Sequence, residues 1–184
     1  MINVKHKNFF FNYFESIKKK LSIIDHSKLI ACVDLIRNVK KQESKIIIIG
    51  NGGSAAIASH VAVDFIKTSR VRAVNFNEAD LITCFANDYG YKNWVAQALR
   101  CYADPNDLII LISSSGKSKN IINAAKYAKM KQLPIITLSG FKRNNPLQRF
   151  GNINMWVNSK RYNTIEMVHH IWLLSIVDYL VKNK

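Results

Sequence analysis

The run Ile46-Ile47-Ile48-Ile49-Gly50-Asn51-Gly52-Gly53-Ser54, continuing into Ala55-Ala56-Ile57-Ala58-Ser59-His60, constrains the fold more than any other stretch. Consecutive isoleucines make a strand buried on both faces, as in a parallel sheet covered by helices. The glycines that follow let the backbone turn sharply and come close to a ligand. Ser54 is expected to cap an alanine-rich helix, whose free N–H groups and dipole favour an anion. Strand, glycine turn and helix start together suit a phosphorylated small molecule. A tight turn without a ligand has the same composition, so this loop alone does not decide the matter.

A second loop raises the odds. Asp107-Leu108-Ile109-Ile110-Leu111-Ile112 is another buried-strand pattern, and it ends in Ser113-Ser114-Ser115-Gly116-Lys117-Ser118 ahead of a helical stretch. Short hydroxyls and backbone amides at a helix start surround phosphate oxygens without steric cost, and Lys117 adds charge. The spacing is not that of a Walker loop.

Periodicity places amphipathic helices at about 7–23 and 28–40, then alternates strand and helix. Strands are expected near 45–50, 72–75, 108–113, 134–138 and 152–157, and helices near 54–67, 91–103 and 117–131. A final helix is expected from Asn163 to Leu180. The fold class is therefore α/β, a three-layer, doubly wound parallel sheet in which ligands bind at the carboxyl ends of strands. No composition shift marks a boundary, so residues 1–184 read as one domain. Residues 1–42 are helices suited to oligomer packing, and 43–184 form the α/β core plus the last helix. That helix is apolar around most of its circumference, and Asn163 with Glu166 has capping-box spacing. That apolar circumference, with the aromatic-rich first helix, suggests a chain that buries more surface in a homo-oligomer.

With 27 Lys and Arg against 12 Asp and Glu, the formal charge is +15. The basic residues are spread along the chain and lysine predominates, so an attraction for anionic substrates is all the charge supports; specific nucleic-acid binding is not expected. No uninterrupted apolar run reaches the about 18–20 residues of a membrane span, and no leader pattern is present. Cys32, Cys84 and Cys101 form no C-x-x-C pair, which points to the cytoplasm and away from a disulfide framework.

His60 and Asp64 stand four apart on the helix after the glycine loop and share a face. Such a pair ligates a divalent metal or works as acid and base, though in isolation it is more often a polar helix face.

The ordered set Gly50-Asn51-Gly52-Gly53-Ser54, Phe85-Ala86-Asn87-Asp88-Tyr89-Gly90, Ile112-Ser113-Ser114-Ser115-Gly116-Lys117-Ser118 and Ile135-Ile136-Thr137-Leu138-Ser139-Gly140 resembles the sugar isomerase (SIS) domain family, within it the phosphoheptose isomerase branch. The resemblance implies a homotetramer with its active site at subunit contacts. It also implies isomerisation of sedoheptulose 7-phosphate to D-glycero-D-manno-heptose 7-phosphate for bacterial surface polysaccharide. By position, Ser54, Ser113, Ser114, Ser115 and Ser118 would hold the phosphate or adjacent hydroxyls. Asn51, Gly52, Gly53, Asn87 and Asp88 would border the sugar.

The chain departs from the family at the chemical centre. Asp64 replaces a Glu, Glu166 a Gln, and Leu174 a His eight residues later. His169 and His170 lie on the intervening turns, and i, i+4 spacing lets Glu166 and His170 reach one site. His60, Asp64, Glu166 and His170, with His169 as the alternative to His170, then form the expected zinc set. Asp64, Glu166 and His170 are the expected catalytic residues of a metal-assisted aldose–ketose isomerase. The altered set also admits a different phosphosugar, or a non-catalytic SIS adaptor or sensor.

Overall fold

The computed structural model describes residues 4–183. Five parallel strands, β1 (Ile46–Ile49), β2 (Ala73–Val74), β3 (Leu108–Ser113), β4 (Ile135–Ser139) and β5 (Ile153–Trp156), form one sheet in the order β2-β1-β3-β4-β5. The helices are α1 (Val4–Leu21), α2 (His26–Lys41), α3 (Gly53–Asp64), α4 (Ala79–Tyr89), α5 (Trp94–Tyr102), α6 (Lys119–Met130) and α7 (Tyr162–Lys182).

The sheet is buried on both sides because successive strand side chains alternate. Ile46, Ile48, Leu108 and Ile110 pack with residues of α2, α3 and α7, while Ile47, Ile49, Ile109 and Leu111 pack with α5 and α6. None of the four β1 isoleucines is more than 1% exposed, and burial of each stabilises the fold by about 2 kcal/mol. Strand order reverses direction at β1: β2 lies on one side and β3 on the other. The loops after β1 and β3 therefore open side by side at the carboxyl edge, the crevice where open α/β sheets bind ligands.

Several local expectations change. Gly52, not Ser54, precedes α3: its φ of 56° and ψ of −123° suit glycine, and no side chain caps the helix. Ser54 lies inside the first turn and is buried. Beyond Asp64 the helix widens into a π turn, Phe65–Ser69, where the Ser69 hydroxyl donates to the Phe65 carbonyl at 2.8 Å. The Asn87-Asp88 motif, outside every helix and strand expected from periodicity, lies on α4, whose Leu81, Ile82, Phe85 and Ala86 make a shallow apolar face. Asn163 and Glu166 do not form a capping box; α7 starts at Tyr162 after Arg161, without a side-chain cap.

By length and composition α7 would suffice to cross a membrane, but its buried residues, from Thr164 to Leu180, pack against the rest of the fold. Much of the burial that its apolar character demands is thus met within the single chain. Phe9, Phe10, Phe11 and Phe14 of α1 remain more than half exposed.

Candidate functional site

The glycine loop and α7 meet at one point. A Cβ on Gly53 would overlap the Glu166 carboxylate, so only glycine lets this carboxylate settle over the first turn of α3. Partial burial raises the Glu166 carboxyl above its ordinary range. The Ser114 hydroxyl faces it and opposes that shift, yet lies outside good hydrogen-bond geometry. Among the described residues its buried Oγ has no partner. A buried hydroxyl without a partner beside a half-buried carboxyl is a place for a polar ligand atom.

One turn along α7, His170 Nε2 lies 2.9 Å from His60 Nδ1. The opposite nitrogen of His60, Nε2, lies 3.3 Å from Asp64 Oδ2. Asp64, His60 and His170 are therefore strung in a line through one ring and do not converge on a point. Among the described residues no three His, Cys, Asp or Glu side chains form a ready metal cluster. The donors are nonetheless of the type zinc takes, imidazole and carboxylate, and a cation between His60 Nδ1 and His170 Nε2 would leave Asp64 holding the far side of the ring. Burial, reinforced by His60 and opposed by Asp64, holds the His170 ring below the usual histidine range.

The adjacent histidines separate cleanly. His169 is fully buried, with Nε2 3.1 Å from the Ser139 carbonyl, and burial pushes its ring down to about 4. It joins α7 to the end of β4 and stands away from His60. Leu174 is half-buried and packs against the apolar cluster of α2, α3 and α7.

The serine loop is internally braced. Ser113 Oγ donates to Ser118 Oγ at 3.0 Å, the Lys117 N–H to Ser115 Oγ at 3.2 Å, and the Gly116 N–H to the Ser113 carbonyl at 2.8 Å. Gly116 has a φ of 65° and lies directly against Asn145, where a Cβ would overlap the amide. Ser118 occupies the position before α6 but spends its hydroxyl on Ser113. Asn145, which sequence reasoning passed over, donates to Ser139 Oγ at 2.9 Å and accepts from the Gln148 N–H at 3.3 Å. Its position before Pro146 was the available signal.

Asn51 Nδ2 donates to Asn120 Oδ1 at 3.0 Å, Asn120 Nδ2 returns a bond to Asn51 Oδ1 at 2.9 Å, and the Tyr91 hydroxyl reaches the same oxygen at 3.3 Å. Asn87 and Asp88 sit exposed on the last turn of α4, bonded to each other at 2.9 Å. The structure thus brings together Glu166 with Gly53 and Ser114, and His170 with His60 and Asp64, and leaves Asn87, Asp88 and His169 apart.

Comparison with known proteins accounts for the same elements. The SIS domain family matches residues 10–140. The phosphoheptose isomerase of Cytophaga hutchinsonii is 34% identical over 134 residues, covering 70% of this chain and 67% of that protein. That of Colwellia psychrerythraea is 33% identical over 145 residues, 74% of each. The solved structure of the phosphoheptose isomerase from Neisseria gonorrhoeae superposes with a TM-score of 0.86 at 25% identity, covering 96% of this chain and 99% of that one. With a family model that spans residues 10–140 and relatives a third identical over most of both chains, the chain belongs to the SIS domain family, in its phosphoheptose isomerase branch.

Proposed function

We propose that this protein is an aldose–ketose isomerase converting sedoheptulose 7-phosphate to D-glycero-D-manno-heptose 7-phosphate, a precursor of bacterial surface polysaccharide. The observation that carries this reading is the Glu166 carboxylate over Gly53, one helical turn from His170 and beside the Ser114 hydroxyl, which has no partner among the described residues. The phosphate would lie on Ser113, Ser115 and Ser118, with Ser54 and Lys117 nearby, and the sugar would extend past Asn51, Gly52 and Gly53. Asn87 and Asp88 would border its exposed side.

The reaction moves one proton between adjacent carbons. Glu166 takes it from C-1 while the histidine pair protonates the C-2 oxygen, giving an enediol. The histidine pair then takes the O-1 proton as Glu166 returns a proton to C-2, which restores both groups and leaves the carbonyl at C-1. A carboxyl raised by burial is the stronger base once ionised, which fits this duty. Asp64 orients His60 from its far nitrogen, so that Nδ1 faces His170. A zinc ion on His60 Nδ1 and His170 Nε2, with Asp64 behind His60, would polarise the substrate carbonyl in place of the proton that those two nitrogens otherwise share, and would leave Glu166 free as the base. His169, buried against Ser139, is assigned a structural role.

The exposed aromatics of α1 support a homo-oligomer, which we take to be a tetramer. The free thiols Cys32, Cys84 and Cys101 suit the cytoplasm. Leu174, half-buried against the apolar cluster, favours a second reading, an isomerase for a different phosphosugar.

Incubation of zinc-supplied protein with sedoheptulose 7-phosphate tests the reading. Formation of an aldoheptose phosphate, abolished by chelation and diminished in Asp64→Ala, is expected. Turnover that survives exhaustive metal removal would contradict the zinc role, and absence of turnover would contradict the substrate.

A further inference from the structure

We infer that Asn120 is a positioning residue, acting through Asn51 to fix the separation of the glycine loop from the serine loop. The inference rests on the proposed reading that one sugar phosphate spans both loops. Ladder pairing between β1 and β3 ends at Ile49 and Leu111, just before these loops begin. No strand bonds hold the loops together past that point, and the Asn51–Asn120 pair bridges the gap. Asn120 is the second residue of α6, 2% exposed, directly after the serine loop.

The two amides exchange bonds of 3.0 and 2.9 Å in both directions. A reciprocal pair fixes distance and orientation together, which an apolar contact of the same size would not. The Tyr91 hydroxyl takes the remaining acceptor site on Asn51 Oδ1. One turn along α6, Asn123 Nδ2 donates to the Lys92 carbonyl at 2.9 Å and to Asn93 Oδ1 at 3.0 Å. The asparagines of α6 therefore tie the segment between α4 and α5 to the same frame. Asn51 keeps a single N–H for a ligand, and Asn120 determines where that N–H points.

The test compares two probes on wild type, Asn51→Ala, Asn120→Ala and the double variant: sedoheptulose 7-phosphate, whose sugar extends past Asn51, and inorganic phosphate, which rests on the serine loop and Ser54 and does not reach Asn51. Expected is a rise of about tenfold in KM for the sugar phosphate in Asn120→Ala. Phosphate affinity should stay within about twofold, and the double variant should be no worse than the poorer single one. Asn120→Asp, which keeps the size and one of the two bonds, gives the same comparison if Asn120→Ala does not fold. Equal weakening of both probes, additive single effects, or an unchanged KM would overturn the inference. A wild-type protein that binds neither probe would instead contradict the phosphosugar reading, and the inference with it.

Discussion

His60 Nδ1 and His170 Nε2 stand 2.9 Å apart with their rings at 84°. A hydrogen bond between two ring nitrogens requires one to carry the proton and the other to lack it. Asp64, 3.3 Å from His60 Nε2, favours the proton on that nitrogen. His60 Nδ1 then accepts, and His170 Nε2 donates. A single proton shared along this line is poised to be given to an oxygen and recovered.

Replacing His170 by Ala should lower kcat by about a hundredfold, the usual weight of a lost general acid. The ring is partly exposed, so the melting temperature should change little. A fall in kcat of less than about threefold would remove His170 from the chemistry.

Gly53→Ala is expected to separate stability from activity. Alanine suits the first turn of a helix, so the protein should melt at or slightly above the wild-type temperature. Its Cβ would displace the Glu166 carboxylate, and kcat/KM should fall by about a hundredfold. Unchanged kinetics in the folded variant would show that Glu166 is not required at that point.

The strand–glycine–helix pattern of residues 46–60 and the buried strand before the serine loop were legible because continuous isoleucine and leucine runs have few other places to go. Together they place both loops at the carboxyl edge of a parallel sheet. Helix α4 was not legible: Leu81, Ile82 and Phe85 have helical spacing, but polar residues and the Asn87-Asp88 motif read as loop. Ser54 and Asn163 carry capping chemistry, yet Gly52 and Arg161 occupy the capping positions: the turn into α3 takes a positive φ that suits glycine, and α7 starts a residue before Asn163. The choice between His169 and His170 depends on how α7 rotates against β4, a tertiary fact that helical spacing does not contain.

His169 should make the fold acid-sensitive. Its ring titrates near 4 instead of the usual 6.5 because it is fully buried. A folded value below the unfolded one gives stability that is complete above about pH 6.5 and lost as pH falls through about 4, in all about 3 kcal/mol. The melting temperature of wild type should drop across that window, and that of His169→Gln should drop less. Parallel declines would contradict the assignment.

The exposed phenylalanines of α1 should be covered in the assembly. Light scattering is expected to give about four times the 21.0 kDa chain mass. Phe10→Asp with Phe14→Asp should yield smaller species. A monomeric wild type would contradict the tetramer.

The most direct measurement is proton NMR of sedoheptulose 7-phosphate in deuterated water with zinc-supplied protein. An aldoheptose phosphate carrying solvent deuterium at C-2, formed by wild type and not by Glu166→Ala, is the expected result. A folded wild type that binds the sugar phosphate and leaves it unconverted, with no deuterium at C-1 or C-2, would contradict proton transfer at this site.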